Sequence, residues 1–256
     1  MADDFLNYYK SYHEKYGERG YGASKVLHTS RMQIIKELVE QFTNPGHDLL
    51  DVGSGDCGLA SLVPNVNYTG IDCNPNLSNG RAIYCDLDSG TFPFPDESFD
   101  VVVCSEVLEH LFDLRKVHRE VYRLLRPNGI YIVSTPNFNH IDHFFTQFSE
   151  LITDFNQSHL IEHIRFYTPE THTKFLNSSG FEVLTTFGAD AHFSKVLQEP
   201  RKRLVEIMDN SFDIKMSVWD ADKILGWMFK DISHTIGLVG RKVKNVKNTV
   251  DSGIVL

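Results

Sequence analysis

The run Leu49-Leu50-Asp51-Val52-Gly53-Ser54-Gly55-Asp56-Cys57-Gly58 reads as an apolar strand that breaks into a glycine turn. Gly53 and Gly55 let the backbone bend sharply and come close to a ligand, and a helix should follow at the open carboxyl edge of a sheet. By itself, Gly-x-Gly-x-x-Gly is a weak signal. About 20 residues on, Gly70-Ile71-Asp72 puts an acid at the end of a second apolar run, where a carboxylate can accept both hydroxyls of a ribose. Turn and acid together fit any adenosine-type cofactor.

Around that pair, short apolar runs alternate with helical patterns, the mark of an α/β domain with a mostly parallel sheet. Strands are expected at 47–52, 68–72, 82–86, 99–104, 130–135, 181–187 and 236–243, which makes one seven-stranded sheet. Ile34, Ile35, Leu38, Val39 and Phe42 give residues 31–42 a helical stripe, and residues 114–125 carry another that stops at the turn Arg126-Pro127-Asn128-Gly129. Thr168-Pro169-Glu170 is a helix start, with threonine as cap and proline at the first helical position. Two stretches exceed this scheme. Residues 141–155 line up Ile141, Phe144, Phe145, Phe148, Leu151, Ile152 and Phe155 on one helical face, and residues 191–235 are too long for an ordinary connection. The 256 residues therefore divide into an N-terminal helical segment at 1–45 and a domain at 46–256 with helical insertions at about 137–165 and 190–235, a single domain overall.

Lys plus Arg total 25 against 34 Asp plus Glu, a net charge of -9 that argues against generic nucleic-acid or anionic-membrane binding. No apolar run approaches the roughly 18 residues of a membrane span, and Met1-Ala-Asp-Asp-Phe-Leu is acidic rather than signal-like, so a cytoplasmic protein is expected. Cys57, Cys73, Cys85 and Cys104 form no Cys-x-x-Cys pair, which disfavours a disulfide framework.

The next motifs separate the cofactor options. Tyr84-Cys85-Asp86-Leu87, the run from Phe92-Pro93-Phe94-Pro95 to Phe99-Asp100-Val101-Val102, Ser105-Glu106-Val107-Leu108-Glu109-His110-Leu111, Leu125-Arg126-Pro127-Asn128-Gly129 and Ser134-Thr135-Pro136-Asn137 resemble the class I S-adenosylmethionine-dependent methyltransferases. Within them the nearest group is the small-molecule, ubiquinone-pathway O-methyltransferase type. The resemblance spans about 46–189 and returns in the last strand. It implies a Rossmann-like sheet with helices on both faces and the last strand antiparallel. It also implies S-adenosyl-L-methionine as cofactor, with Asp51, Gly53, Ser54 and Gly55 around its methionine portion. Asp72 would bind the ribose with Cys73 beside it, Asp86 and the Leu87 backbone the adenine, and Ser105 would complete the set; residues 1–45 would cover the site. One departure stands out: Cys57 occupies a position where the family usually has glycine.

Glu106, Glu109 and His110 form the second informative site. On a helix starting near Glu106 they fall at i, i+3 and i+4 and project from one face. Two carboxylates and an imidazole can hold a divalent cation, and Glu-x-x-Glu-His occurs with a metal in ubiquinone-pathway and small-RNA methyltransferases. In the latter a further histidine joins, which resemblance places at His163. Such a cation would lower the pKa of an acceptor hydroxyl. The alternative is metal-free, with His110 or His163 as a base or an orienting hydrogen-bond partner and Glu106 assisting. The expected reaction is in-line attack by an oxygen, or less readily a nitrogen, of a small-molecule acceptor on the cofactor methyl group. Two rivals stand beside it: a 2'-O-methyltransferase acting on RNA, opposed by the net charge, and a cofactor-binding module without catalysis.

Overall fold

The computed structural model describes residues 29–88, 91–139, 165, 167–190, 202–209, 215, 217–228, 233 and 235–243. In chain order its elements are α1 (Ser30–Phe42), β1 (Asp48–Val52), α2 (Leu59–Leu62), β2 (Asn67–Asp72), β3 (Ile83–Tyr84), β4 (Phe99–Ser105), α3 (Leu114–Leu124), β5 (Leu125–Pro136), α4 (Pro169–Ser178), β6 (Phe181–Ala189), α5 (Val218–Met228) and β7 (Thr235–Lys242). The strands form one sheet in the order β3-β2-β1-β4-β5-β7-β6. β7 runs antiparallel to both of its neighbours, and the other pairings are parallel. The expected seven strands and the antiparallel last strand are thus present.

The two faces of the sheet bury separate cores. On one, α1 lays Met32, Ile35 and Val39 against Leu49, Val101, Val103, Ile130 and Ile132. On the other, Val117, Val121 and Leu124 of α3 and Leu176 of α4 cover Val102, Cys104, Tyr131 and Val133. Each such aliphatic side chain removed from water contributes about 1.5–3 kcal/mol. α1 is capped by the Thr29 side chain, and α4 by a box in which Thr168 and Thr171 bond each other's backbone. α5 packs on β6 and α1, and Lys223 pairs with Glu37 across the second contact.

Two readings change. The third strand shrinks to two residues. The turn expected at 126–129 is instead the bulged start of β5: Asn128 takes a φ of 66° and the register with β4 shifts between Phe99 and Val101. The stripe at 141–155 and residues 1–28 lie outside the described residues.

Two histidines are sealed in the α3/α4 core. His118 donates from Nδ1 to the Leu114 carbonyl at 2.9 Å, and its ring meets the Phe175 ring edge-on at 4.8 Å between centroids. His172 lies 4.8 Å from the Tyr167 ring. Burial pushes His118 down to about 4 and, with His118 nearby, His172 down to about 3. An unfolded histidine binds a proton near pH 6.5, as these folded ones do not, so stability should fall as pH drops from about 6.5 toward these values. His172→Leu should flatten that decline by about 1–3 kcal/mol between roughly pH 7 and pH 4.5, read from urea denaturation at the two pH values.

Candidate active site

The site forms where β1 and β2 end. Gly53 N–H and Ser54 N–H both donate to the Ile71 carbonyl, at 2.9 and 3.0 Å, so the turn is pinned to β2 as it leaves β1. Gly53 has a φ of 71° and Gly55 of 52°, a region that costs other residues about 1–2 kcal/mol. Cys57 enters the same region at 58°, which gives a physical reason for glycine to be usual at this position. Gly55 N–H donates to Asp72 Oδ2 at 2.9 Å and Asn74 N–H to Oδ1 at 2.7 Å, so the buried Asp72 carboxylate is locked between loop and strand end. Cys73, beside it, is half-buried.

Asp51 is buried on the α1 face and accepts from the Tyr68 hydroxyl at 2.6 Å. Burial pushes its carboxyl up to about 7. At the end of β3, Cys85 N–H donates to the Asp72 carbonyl and brings Asp86 and buried Leu87 to the same edge. Asp88 is engaged elsewhere, since its Oδ1 accepts from Phe112 N–H and Asp113 N–H at 2.8 and 3.0 Å and anchors the loop after β4.

That loop departs from the expected helix. Glu106 has a φ of 55°, Leu108–His110 is a single 3₁₀ turn, and α3 starts only at Leu114. Glu106, Glu109 and His110 therefore do not share a helical face. Glu106 Oε2 lies 3.2 Å from Arg31 Nη1, and its Oε1 accepts from Ser134 Oγ at 3.1 Å, with Ser105 Oγ 2.9 Å from Ser134 Oγ. Glu109 is almost fully buried, 3.8 Å from His110 Nε2 through Oε1. Burial first, and the Glu106 charge second, hold its carboxyl well above the usual range. Among the described residues no three His, Cys, Asp or Glu side chains converge on a point where an ion would sit. His163 lies outside them. The described donors do not fit a divalent cation, because Glu106 already faces Arg31 and Glu109 is turned into the core.

Arg31 is the residue that pattern reading missed. Its Nη1 bridges Glu106 and Asp190 Oδ2, the latter at 3.3 Å, and Ser30 Oγ and the Arg31 N–H both donate to Asp190 Oδ1. One signal was present: a cation in the first turn of a helix opposes the macrodipole and needs another reason to be there. Asp190, distant in sequence and fully buried, gave none.

A methyltransferase-domain model matches residues 27–186. The chain belongs to this methyltransferase-domain family. A "Probable S-adenosylmethionine-dependent methyltransferase" of Mycolicibacterium smegmatis is 34% identical over 151 residues, 56% of this chain and 55% of that protein. Phosphoethanolamine N-methyltransferase 2 of Caenorhabditis elegans is 24% identical over 78% of this chain and 46% of its own length. Ubiquinone biosynthesis O-methyltransferase of Coxiella burnetii is 23% identical over 67% of this chain and 79% of its own. The chain thus spans about half the length of the first two relatives. A SAM-dependent methyltransferase from Thermotoga maritima superposes with a TM-score of 0.55 at 14% identity, over 94% of this chain and all of the other, which shows the Rossmann-like fold. No helix among the described residues is long and apolar enough to cross a membrane.

In this methyltransferase domain the glycine turn tolerates no side chain at its first position. A Cβ on Gly53 would lie 2.4 Å from Val107 Cγ2, in a backbone region already costly for alanine. Gly53→Ala should therefore lose roughly 2–4 kcal/mol of stability in chemical denaturation. A loss below about 0.5 kcal/mol would show that the turn and Val107 give way freely.

Proposed function

We propose that the protein transfers the methyl group of S-adenosyl-L-methionine to a hydroxyl of a small-molecule acceptor. The observation that carries the cofactor assignment is the Asp72 joint: a carboxylate fixed by Gly55 N–H and Asn74 N–H at the end of β2, beside a left-handed glycine turn. Each oxygen keeps a lone pair for a ribose hydroxyl. Asp86 meets the adenine amino group, a role open to it because Asp88 is engaged by the Phe112 and Asp113 amides. The methionine portion lies over Gly53, Ser54 and Gly55, its ammonium toward Asp51 and its carboxylate toward Arg31.

At the acceptor side, His110 takes the hydroxyl proton as the oxygen attacks the methyl carbon in line with the departing sulfur. Ser105, Ser134 and Arg31 hold Glu106 still at the pocket wall, and Glu109 backs the imidazole. Positioning and deprotonation supply the rate, because the sulfonium is already a good leaving group. An amine acceptor is the second reading, favoured by the resemblance to a phosphoethanolamine N-methyltransferase.

Two measurements test this. Asp72→Ala should weaken S-adenosylhomocysteine binding by at least about tenfold in calorimetry, the loss of roughly one charge-assisted hydrogen bond or more; unchanged affinity removes the cofactor assignment. For the acceptor, a panel of phenols together with phosphoethanolamine is scanned by mass spectrometry for the gain of one methyl group. Product from phenols that His110→Ala abolishes supports the hydroxyl reading, and product from phosphoethanolamine alone replaces it with the amine one.

A further inference from the structure

The β1–β2 register sets up an interaction that spans two rungs of the sheet. Tyr68 pairs with Leu49, and Asp51 pairs with Gly70, so Tyr68 and Asp51 share a face two residues apart on adjacent strands. Such diagonal neighbours are within reach of a long side chain. Gly70 lies between them without a side chain, and a Cβ there would sit 2.7 Å from Ser54 Oγ and 2.9 Å from Cys57 Sγ. The glycine loop therefore rests directly on β2. The Tyr68 ring leans along the strand, and its hydroxyl donates to Asp51 Oδ2 at 2.6 Å. On its other side the ring lines a groove with Cys57, Ala60, Thr69, Arg81 and Ile83 that is open among the described residues.

We propose that Tyr68 is a positioning residue for the cofactor: its hydroxyl fixes one oxygen of Asp51 and stabilises the carboxylate, so that Asp51 meets the cofactor's ammonium as an anion. This rests on the reading of Asp51 given above. The surroundings of Asp51 show why the hydroxyl matters. Asp72 at the end of β2 and Asp56 in the glycine loop face it with charge of its own sign, while Cys57 stands beside the Tyr68 hydroxyl. Burial, Asp72 and Asp56 all favour the neutral acid, and the Tyr68 hydrogen bond is the opposing influence that leaves the group near 7. A hydrogen bond to the charged form favours that form. Removing it moves the ionisation upward, so ammonium binding becomes weak at neutral pH and recovers at higher pH.

The test uses the full chain and two probes. S-adenosylhomocysteine carries the ammonium, and 5'-methylthioadenosine keeps the adenosine but lacks it. In calorimetry, Tyr68→Phe should bind S-adenosylhomocysteine about fivefold more weakly than wild type near pH 7, with most of that difference gone near pH 8.5, as for an ionisation moved up by about one unit. Its affinity for 5'-methylthioadenosine should be unchanged, which also establishes that the variant is folded. Identical pH profiles for Tyr68→Phe and wild type would overturn the proposal, as would an equal loss for both probes, which would mark Tyr68 as packing only. Asp51→Asn separates the two levels of inference. It should flatten the pH dependence of S-adenosylhomocysteine binding, and if it leaves affinity and profile untouched, the placement of the ammonium at Asp51 fails and the role of Tyr68 fails with it.

Discussion

The Ile71 carbonyl accepts from both Gly53 and Ser54, and one residue later the Asp72 carboxylate accepts from Gly55. These bonds tie the turn that leaves β1 to the end of β2, and the geometry of the whole carboxyl edge follows from them. The turn can lie that close only because Gly53 and Gly55 adopt left-handed backbone and because Gly70 beneath it has no side chain to lift Ser54 and Cys57 away. With the turn fixed, Asp72 has a single orientation. The Cys85 N–H bond to the Asp72 carbonyl then sets where β3 delivers Asp86.

The same edge gathers negative charge in a setting that water screens poorly. Asp51, Asp72, Glu109 and Asp190 are buried, Glu106 is largely so, and Arg31 is the cation that bridges two of them. Burial without full compensation shows in the upward displacement of Asp51 and Glu109. A cationic ligand with a sulfonium and an ammonium relieves that repulsion, and binding it stabilises the folded chain by mass action.

Much of this was legible because it is periodic or local. Leu49 to Val52 and Phe99 to Cys104 are unbroken apolar or near-apolar runs, and the glycine turn and Asp72 sit at strand ends that such runs mark. The loop at 106–110 was misread for a reason that spacing cannot reveal. Glu106, Glu109 and His110 have helical separations, yet Glu106 takes a left-handed φ and accepts a long-range partnership with Arg31 and Ser134, so the chain turns before it can coil. Asn128 shows the same limit, since Pro-Asn-Gly signals a turn but not whether the turn stands apart or becomes a bulge inside β5. Arg31 and Asp190 meet across 159 positions, and only the fold brings them together.

That meeting also joins the start of α1 to the carboxyl edge of the sheet. Ser30 Oγ and the Asp190 amide and carboxylate bond each other, so the start of α1 is fastened to the end of β6 beside the Arg31–Glu106 ion pair. Asn137 and Phe138, at the end of β5, are tied to Ser233 and Tyr167 by backbone oxygens a short way along the same edge. Thr29, Asn139 and Asp190 therefore all lie at the carboxyl edge, whereas Arg126 joins Asp48 and Asp100 at the opposite end of the sheet. In an open α/β sheet it is the carboxyl edge that binds ligands and the connecting segments there that vary between members. The Asp72 joint is built from β1, β2 and β3, whose turns are short and chemically constrained. Around such an edge one fold accommodates relatives named as O-methyltransferases and relatives named as N-methyltransferases.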